Sequence, residues 1–225
     1  LPGLFEFDPD SGEKRLLYRH ELVDFEPFIK YDEATKKSSL VGTFIMPDRA
    51  SKVYLDSELS AVDIAFDNLF PDDYVKVTGR SADKMFSIVR VTSDRNPGEF
   101  YLFDKQKNSL TYLASRRPWI DPVKMATKKP FSFKARDGLT LHGYLTLPSG
   151  KKAEKLPMIV HPHGGPHGPR DGWFFSNDVQ LLASRGYAVL QVNFRGSGGY
   201  GLDFENAGHG EWGGLMQDDL TDATR

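Results

Sequence analysis

Short stretches of alternating apolar and polar residues fill the first half of the chain, whereas the second half carries short unbroken apolar runs separated by glycine-rich loops. Alternation has the period of a half-buried strand. It recurs at Val75-Lys76-Val77-Thr78, from Met85 to Val91, from Phe100 to Phe103 and from Leu110 to Leu113, with turn residues at Ser81 to Lys84 and a polar loop from Asp94 to Gly98. Aromatic and β-branched residues dominate these segments, as strands require. Together they predict a four-stranded unit between Tyr74 and Ala114. An earlier, less regular unit is expected from about Leu40 to Leu69.

The pattern repeats. Leu4-Phe5-Glu6-Phe7-Asp8, a polar turn and Arg15-Leu16-Leu17 match Phe100-Tyr101-Leu102-Phe103-Asp104, a turn and Thr111-Tyr112-Leu113 without a gap, at an offset of 96 residues. That is about twice the ~40–50 residue period of propeller blades. An Asp at the head of each turn can accept bonds from the amides just after it. The repeat favours an all-β propeller portion over a β-sandwich of similar strand lengths. A proline-containing stretch from Arg116 to Pro122, ending at Lys128-Lys129-Pro130, reads as a boundary.

Beyond it the pattern turns α/β. Phe131-Ser132-Phe133 leads to Asp137-Gly138, a hairpin signal, and Leu139, Leu141, Gly143, Leu145 and Leu147 alternate as a strand. Pro157 to Val160 reads as a buried sheet-interior strand. A helix capped at Ser176 or Asn177 carries Val179, Leu181, Leu182 and Ala183 and stops at Gly186. Tyr187 to Phe194 is a second buried strand. This strand–helix–strand order predicts a parallel pair. A last helix is expected from Met216, with Asp218, Asp219 and Asp222 in turns that the helix dipole favours.

Composition narrows the classes. Of 225 residues, 39% are apolar, enough for a packed core, and the net charge of −2 comes from interspersed charges. Neither a nucleic-acid footprint nor a membrane-surface patch follows from that. Cysteine is absent, which excludes disulfides, thiolate metal sites and a cysteine nucleophile. The start at Leu1-Pro2-Gly3 reads as a cut inside a longer chain, and the composition selects neither a compartment nor an oligomeric state.

The chemistry concentrates in His163-Gly164-Gly165-Pro166, placed directly after a core strand and ahead of a helix. Acyl transfer puts negative charge on a carbonyl oxygen, and preorganised amide donors stabilise it. Glycine lets the backbone approach a substrate without a Cβ in the way. Such a loop supplies one oxyanion amide in α/β-hydrolases; the competing explanation is an ordinary glycine turn.

Taken together, His161-Pro162-His163-Gly164-Gly165-Pro166, Arg185-Gly186-Tyr187-Ala188-Val189, Asn193-Phe194-Arg195-Gly196-Ser197-Gly198-Gly199-Tyr200-Gly201, Gly210-Glu211-Trp212-Gly213 and Asp218-Asp219-Leu220 resemble the start of the catalytic domain of the prolyl oligopeptidase family, in its acylaminoacyl-peptidase and dipeptidyl-aminopeptidase branch. The resemblance is specific from about Phe131 to Arg225. It implies the last blades of a β-propeller over 1–118, a linker over 119–130 and the N-terminal part of an α/β-hydrolase domain over 131–225. It implies a serine peptidase acting on peptides without a cofactor. The Gly165 amide would be an oxyanion donor, and His163 and Gly164 would shape its loop. Arg195 and Tyr200 are expected at the substrate. The family's Ser, Asp and His follow in that order after the segment seen here. No Gly-x-Ser-x-Gly occurs, and Ser197, with glycines adjacent to it, is not a nucleophile elbow. The 225 residues alone are therefore expected to be inactive. An esterase of the same fold and a non-catalytic propeller module are the alternatives.

Two rivals share these loops. Gly196 to Gly201 matches Gly-x-Gly-x-x-Gly, but a dinucleotide site needs a helix to open at once, and Leu202 to Gly208 is poor helix material. His161, His163 and His167 have ligand-like spacing, yet no nearby carboxylate completes a common metal set. Neither nucleotide nor metal binding is expected.

Overall fold

The computed structural model describes residues 1–32 and 35–225. Four separate sheets share its strands. Strands β1 (Leu4–Phe7) and β2 (Lys14–Tyr18) form an antiparallel hairpin. Strands β3 (Phe25–Asp32), β4 (Lys37–Ile45) and β5 (Ser51–Tyr54) form a three-stranded antiparallel sheet. Helix α1 (Ser57–Leu69) follows, and β6 (Tyr74–Arg80), β7 (Phe86–Thr92), β8 (Glu99–Asp104) and β9 (Ser109–Ser115) make a four-stranded antiparallel meander. Among the described residues these sheets do not close into a ring.

Both copies of the repeat fold alike. The Asp8 carboxylate accepts the Asp10 amide at 2.9 Å, and the Asp104 carboxylate accepts the amides of Gln106 and Lys107 at 3.0 and 3.1 Å. Each aspartate thus caps the tight turn of its own hairpin. The expected unit from Leu40 to Leu69 needs correction. Its strands end at Tyr54, and Ser57–Leu69 is a helix. Ser60, Asp63, Ile64 and Asp67 are among its less exposed residues, at the i, i+3, i+4, i+7 spacing of a helix face and not at a two-residue spacing. Phe66 joins Val75, Val89 and Val91 in the core of the meander, where it meets Phe103 edge-on at 5.0 Å.

The loop from Asp94 to Gly98 is polar, as expected, but it is not a surface loop. Ser93, Asp94 and Asn96 are buried. Asn96 is satisfied within the loop, by Thr92, Ser93 and Gly98, whereas Asp94 and the Ser93 carbonyl reach the second half of the chain: Asp94 Oδ2 accepts the Lys128 amide at 2.7 Å, the Asp94 carbonyl accepts Gln180 Nε2 at 3.1 Å, and the Ser93 carbonyl accepts the Phe175 amide at 2.9 Å.

The second half contains one four-stranded sheet in the order β10-β11-β13-β12, with β10 (Lys128–Lys134), β11 (Thr140–Thr146), β12 (Met158–Val160) and β13 (Ala188–Asn193). Strand β10 begins inside the stretch read as a linker. Pro130 is tolerated there because β10 is an edge strand that needs ladder bonds on one side only. Helix α2 (Asn177–Ser184), preceded by Ser176 as its N-cap, connects β12 to β13, which pair in parallel. Only β13 is buried along its whole length. The run Met158–Val160, expected in the sheet interior, pairs on one side only, and Met158 is exposed.

Helices α3 (Leu202–Asn206) and α4 (Leu215–Asp222) complete the described chain. A helix therefore does open at Leu202, against the expectation from composition, but it lasts five residues and buries none of them. Asp222 sits in the last turn of α4, not the first, and is held by Arg136 instead of the dipole. That pairing holds its carboxyl down to about 2.

Candidate active site

Two loops leave the carboxyl ends of the parallel strands, where open α/β sheets place their ligands. One follows β12 and holds His161 to Asp171. The other follows β13 and holds Phe194 to Gly201. The His161 amide continues the ladder by donating to the Leu190 carbonyl at 2.8 Å, so the first loop departs from a fixed point on the central strand.

The loops interlock through backbone. Gly168 donates to the Gly196 carbonyl and Gly198 to the Pro169 carbonyl, both at 3.2 Å. A Cβ on Gly198 would collide with the Gly168 carbonyl oxygen. The glycines that suggested a nucleotide loop thus serve close loop–loop contact. Gly164 and Gly165 stay exposed. Gly165 takes φ +134°, a conformation costly to a residue with a Cβ. Among the described residues, no acceptor takes a hydrogen bond from the Gly164 or Gly165 amide. Both glycines are thus exposed with unpaired amides while the ends of the loop are tied down.

His163 lies inside this loop. Its ring stacks on Phe194 with centroids 4.5 Å apart and planes 14° from parallel. Nε2 lies 2.8 Å from Ser197 Oγ, and Nδ1 lies 2.9 Å from the Gly164 carbonyl oxygen. Of the other histidines that suggested a metal set, His167 accepts from Trp212 Nε1 at 3.2 Å and meets His209 edge-on, and His161 leaves its buried Nδ1 without a hydrogen-bond partner. Among the described residues no group of three or more His, Cys, Asp or Glu side chains stands close enough to hold a metal ion.

Arg195 and Tyr200, expected at a substrate, have their polar groups engaged within the fold. Arg195 is 4% exposed. Its Nε and Nη2 donate to Asp219 at 2.9 and 2.7 Å, and Nη1 donates to Asp137 at 2.8 Å. Tyr200 is buried between Arg170, whose guanidinium lies 4.2 Å from the ring centroid, and His142, stacked on it at 5.0 Å. Its hydroxyl accepts from Arg170 and Asn193, both at 2.9 Å. The same burial pushes the Tyr200 hydroxyl pKa up.

Residues not singled out from sequence support the loop from below. The Asp171 amide donates to Asn193 Oδ1 at 2.8 Å, and Asn193 Nδ2 returns a bond to the Asp171 carbonyl at 3.1 Å. Gln191 Nε2 donates to Asp171 Oδ1 at 2.5 Å. Burial pushes the Asp171 carboxyl up, against the pull of His163, Lys128 and His161. Asn193 and Gln191 are polar residues in the most buried strand, a signal that could have marked them as network members. Trp173 of the same connection packs with Tyr74 and Tyr144, and Arg170 Nη2 donates to the Met46 carbonyl at 3.0 Å, so the loop is braced on the first half of the chain as well. A cavity of about 430 Å³ lies elsewhere, between β3 and β6, lined by residues such as Lys30, Lys52, Tyr54 and Tyr74 and by none of either loop.

A mostly β first half joined to an α/β sheet, with an exposed glycine loop at the end of a parallel strand, defines a hydrolase-type scaffold. Comparison with known proteins sharpens this. Residues 173–225 match the model of the prolyl oligopeptidase family. Dipeptidyl aminopeptidase BIII of Pseudoxanthomonas mexicana is 37% identical over 99% of this chain and 33% of its own length. Dipeptidyl peptidase family member 6 of Caenorhabditis elegans is 30% identical over 98% of this chain and 32% of its own. The acylaminoacyl peptidase structure of Pyrococcus horikoshii covers 95% of the chain with its own 32%, at 25% identity and a TM-score of 0.57. A puromycin-hydrolyzing peptidase of Mycobacterium tuberculosis shares the fold with a TM-score of 0.64 at 19% identity. The chain belongs to the prolyl oligopeptidase family of peptidases. It spans about a third of the length of the curated relatives it matches.

Proposed function

We propose that the whole protein containing these residues is a serine peptidase that cleaves peptides through an acyl-enzyme. The observation that carries this reading is the exposed, unpaired amide of Gly165 at the carboxyl end of β12, in a chain of a peptidase family. As a serine oxygen attacks the peptide carbonyl carbon, the carbonyl oxygen becomes negative, and the Gly165 amide donates to it. Gly164 and His163 fix where that amide points. The tetrahedral carbon then expels the amine of the broken peptide bond, which takes up the proton that the serine gave up, and water adds its hydroxyl to the acyl carbon and returns a proton to the serine oxygen. Residues 1–118 are read as propeller blades that limit access to the site, 119–130 as the connection and 131–225 as the start of the hydrolase domain. The family names of the relatives, dipeptidyl and acylaminoacyl, favour short peptides as substrates.

No Gly-x-Ser-x-Gly lies within the 225 residues, so the nucleophile belongs to another part of the whole protein and this segment alone turns nothing over. Fluorophosphonate labelling tests both statements. One serine of the whole protein should be labelled stoichiometrically and the 225-residue chain not at all. A labelled serine within the 225 residues, or an unlabelled whole protein, refutes the reading.

A further inference from the structure

The second loop contains a serine, Ser197, that no nucleophile elbow surrounds. We propose that Ser197 is a positioning residue of the candidate oxyanion loop, acting on the Gly164–Gly165 backbone through His163. Ser197 is fully buried. Its hydroxyl has one proton and two lone pairs. The proton goes to the Phe194 carbonyl, 2.6 Å away, which leaves a lone pair facing His163 Nε2 at 2.8 Å. The Phe194 ring beneath the imidazole fixes the plane and Ser197 fixes the rotation within it; with the ring proton on Nε2, Nδ1 has none to give the Gly164 carbonyl, so the orientation reaches the next peptide through the His163 backbone, which is bonded to the Gly164 nitrogen. Flanking bonds from Gly168 to Gly196 and from Gly198 to Pro169 hold the serine at a constant height under the loop. The glycine before it is needed for the close packing of the loop: a Cβ on Gly196 would lie 2.6 Å from Met216 Cε and 3.2 Å from His167 Nδ1.

This inference rests on the peptidase reading for its catalytic consequence, and the experiment separates the two. In the whole protein, S197A, H163F and the double variant are compared on dipeptidyl and N-acylated aminoacyl 4-nitroanilides. H163F keeps the stack on Phe194 and removes both ring nitrogens. S197A should lower kcat by about 10- to 100-fold, as sub-ångström misplacement of a catalytic donor does, with KM within about twofold. Adding S197A to H163F should cost nothing further, because the hydroxyl then has no imidazole to hold. Nitrogen-detected NMR provides a readout independent of turnover: a His163 Nε2–H signal should be present in the wild type and lost or exchange-broadened in S197A. Unchanged kcat in S197A, additive losses in the double variant, or an unaltered His163 signal overturns the inference alone. A wild-type protein without turnover on any of these substrates overturns the peptidase reading and the catalytic consequence with it.

Discussion

Replacing Arg195 by Met should destabilise the fold by about 3–5 kcal/mol, the usual result of stranding one charge of a buried pair. The Arg195 side chain is 5% exposed and that of Asp219 1%. Asp219 receives three bonds from this one residue: its amide at 2.9 Å, Nε at 2.9 Å and Nη2 at 2.7 Å. The variant removes two of them and leaves a carboxylate with only the Arg195 amide, in a site closed to water. Loss of the third partner adds little, because Asp137 is 37% exposed and a pair open to solvent contributes at most about 1 kcal/mol. Equilibrium urea unfolding followed by circular dichroism measures the difference. Asp219→Leu alone should cost a similar amount, since it strands the guanidinium. The double variant Arg195→Met/Asp219→Leu should cost less than the sum by about 2–3 kcal/mol, a coupling typical of contacting residues. A loss under about 1 kcal/mol for Arg195→Met, or simple additivity, would show that this pair does not hold the loop to α4. The same experiment bears on the expectation that Arg195 meets substrate: an architectural arginine moves stability, a binding one moves KM.

Two further outcomes follow from the geometry. Lys128 is buried against the Tyr144 ring, its Nζ donating to the Gly172 and Phe174 carbonyls at 2.7 and 3.1 Å, and burial lowers its pKa from 10.5 to about 8. The folded state sheds this proton before the unfolded state does, so stability should rise between pH 8 and 10 by on the order of 2 kcal/mol from this group, and Lys128→Met should lack that rise in urea midpoints taken across the window; parallel slopes in both proteins would refute it. Gly198→Ala should cost about 1–3 kcal/mol by forcing the two loops apart, whereas Gly79→Ala, where an added Cβ meets nothing within 4 Å, should stay within about 0.5 kcal/mol; equal melting temperatures for the two variants would contradict the interlock.

Local features were readable where the cause is local. The aspartates at positions 8 and 104 head tight turns because their own side chains cap the next amides. The run from Tyr187 to Phe194 announces a buried strand because every face of β13 is covered. What was not legible depends on partners far along the chain. Arg195 is buried by Asp219 and Asp137, and Tyr200 by Arg170 and His142; no spacing rule links those positions. Met158–Val160 carries the apolar run of an interior strand but pairs on one side only. Helix α1 is a different failure: its inner residues recur at helical spacing, and an expectation of more strands overrode that signal. At the candidate site, the glycines and His163 stood out, while Ser197 read only as a serine outside a nucleophile elbow, because only the folded loop brings its hydroxyl to His163 Nε2.

The polar clasp around Asp94 limits how the molecule can flex. Pulling the β6–β9 meander away from the β10–β13 sheet would leave the Asp94 carboxylate, the Asp94 carbonyl and the Lys128 amide each without its counterpart in a place water reaches poorly, while Gln180 would keep only its bonds to Ala126. Each orphaned group costs about 1–3 kcal/mol, so this corner is the pivot and not the mouth of any breathing between the two halves. Under the proposed function, a peptide bound for Gly165 would arrive from a side where no such clasp is fastened.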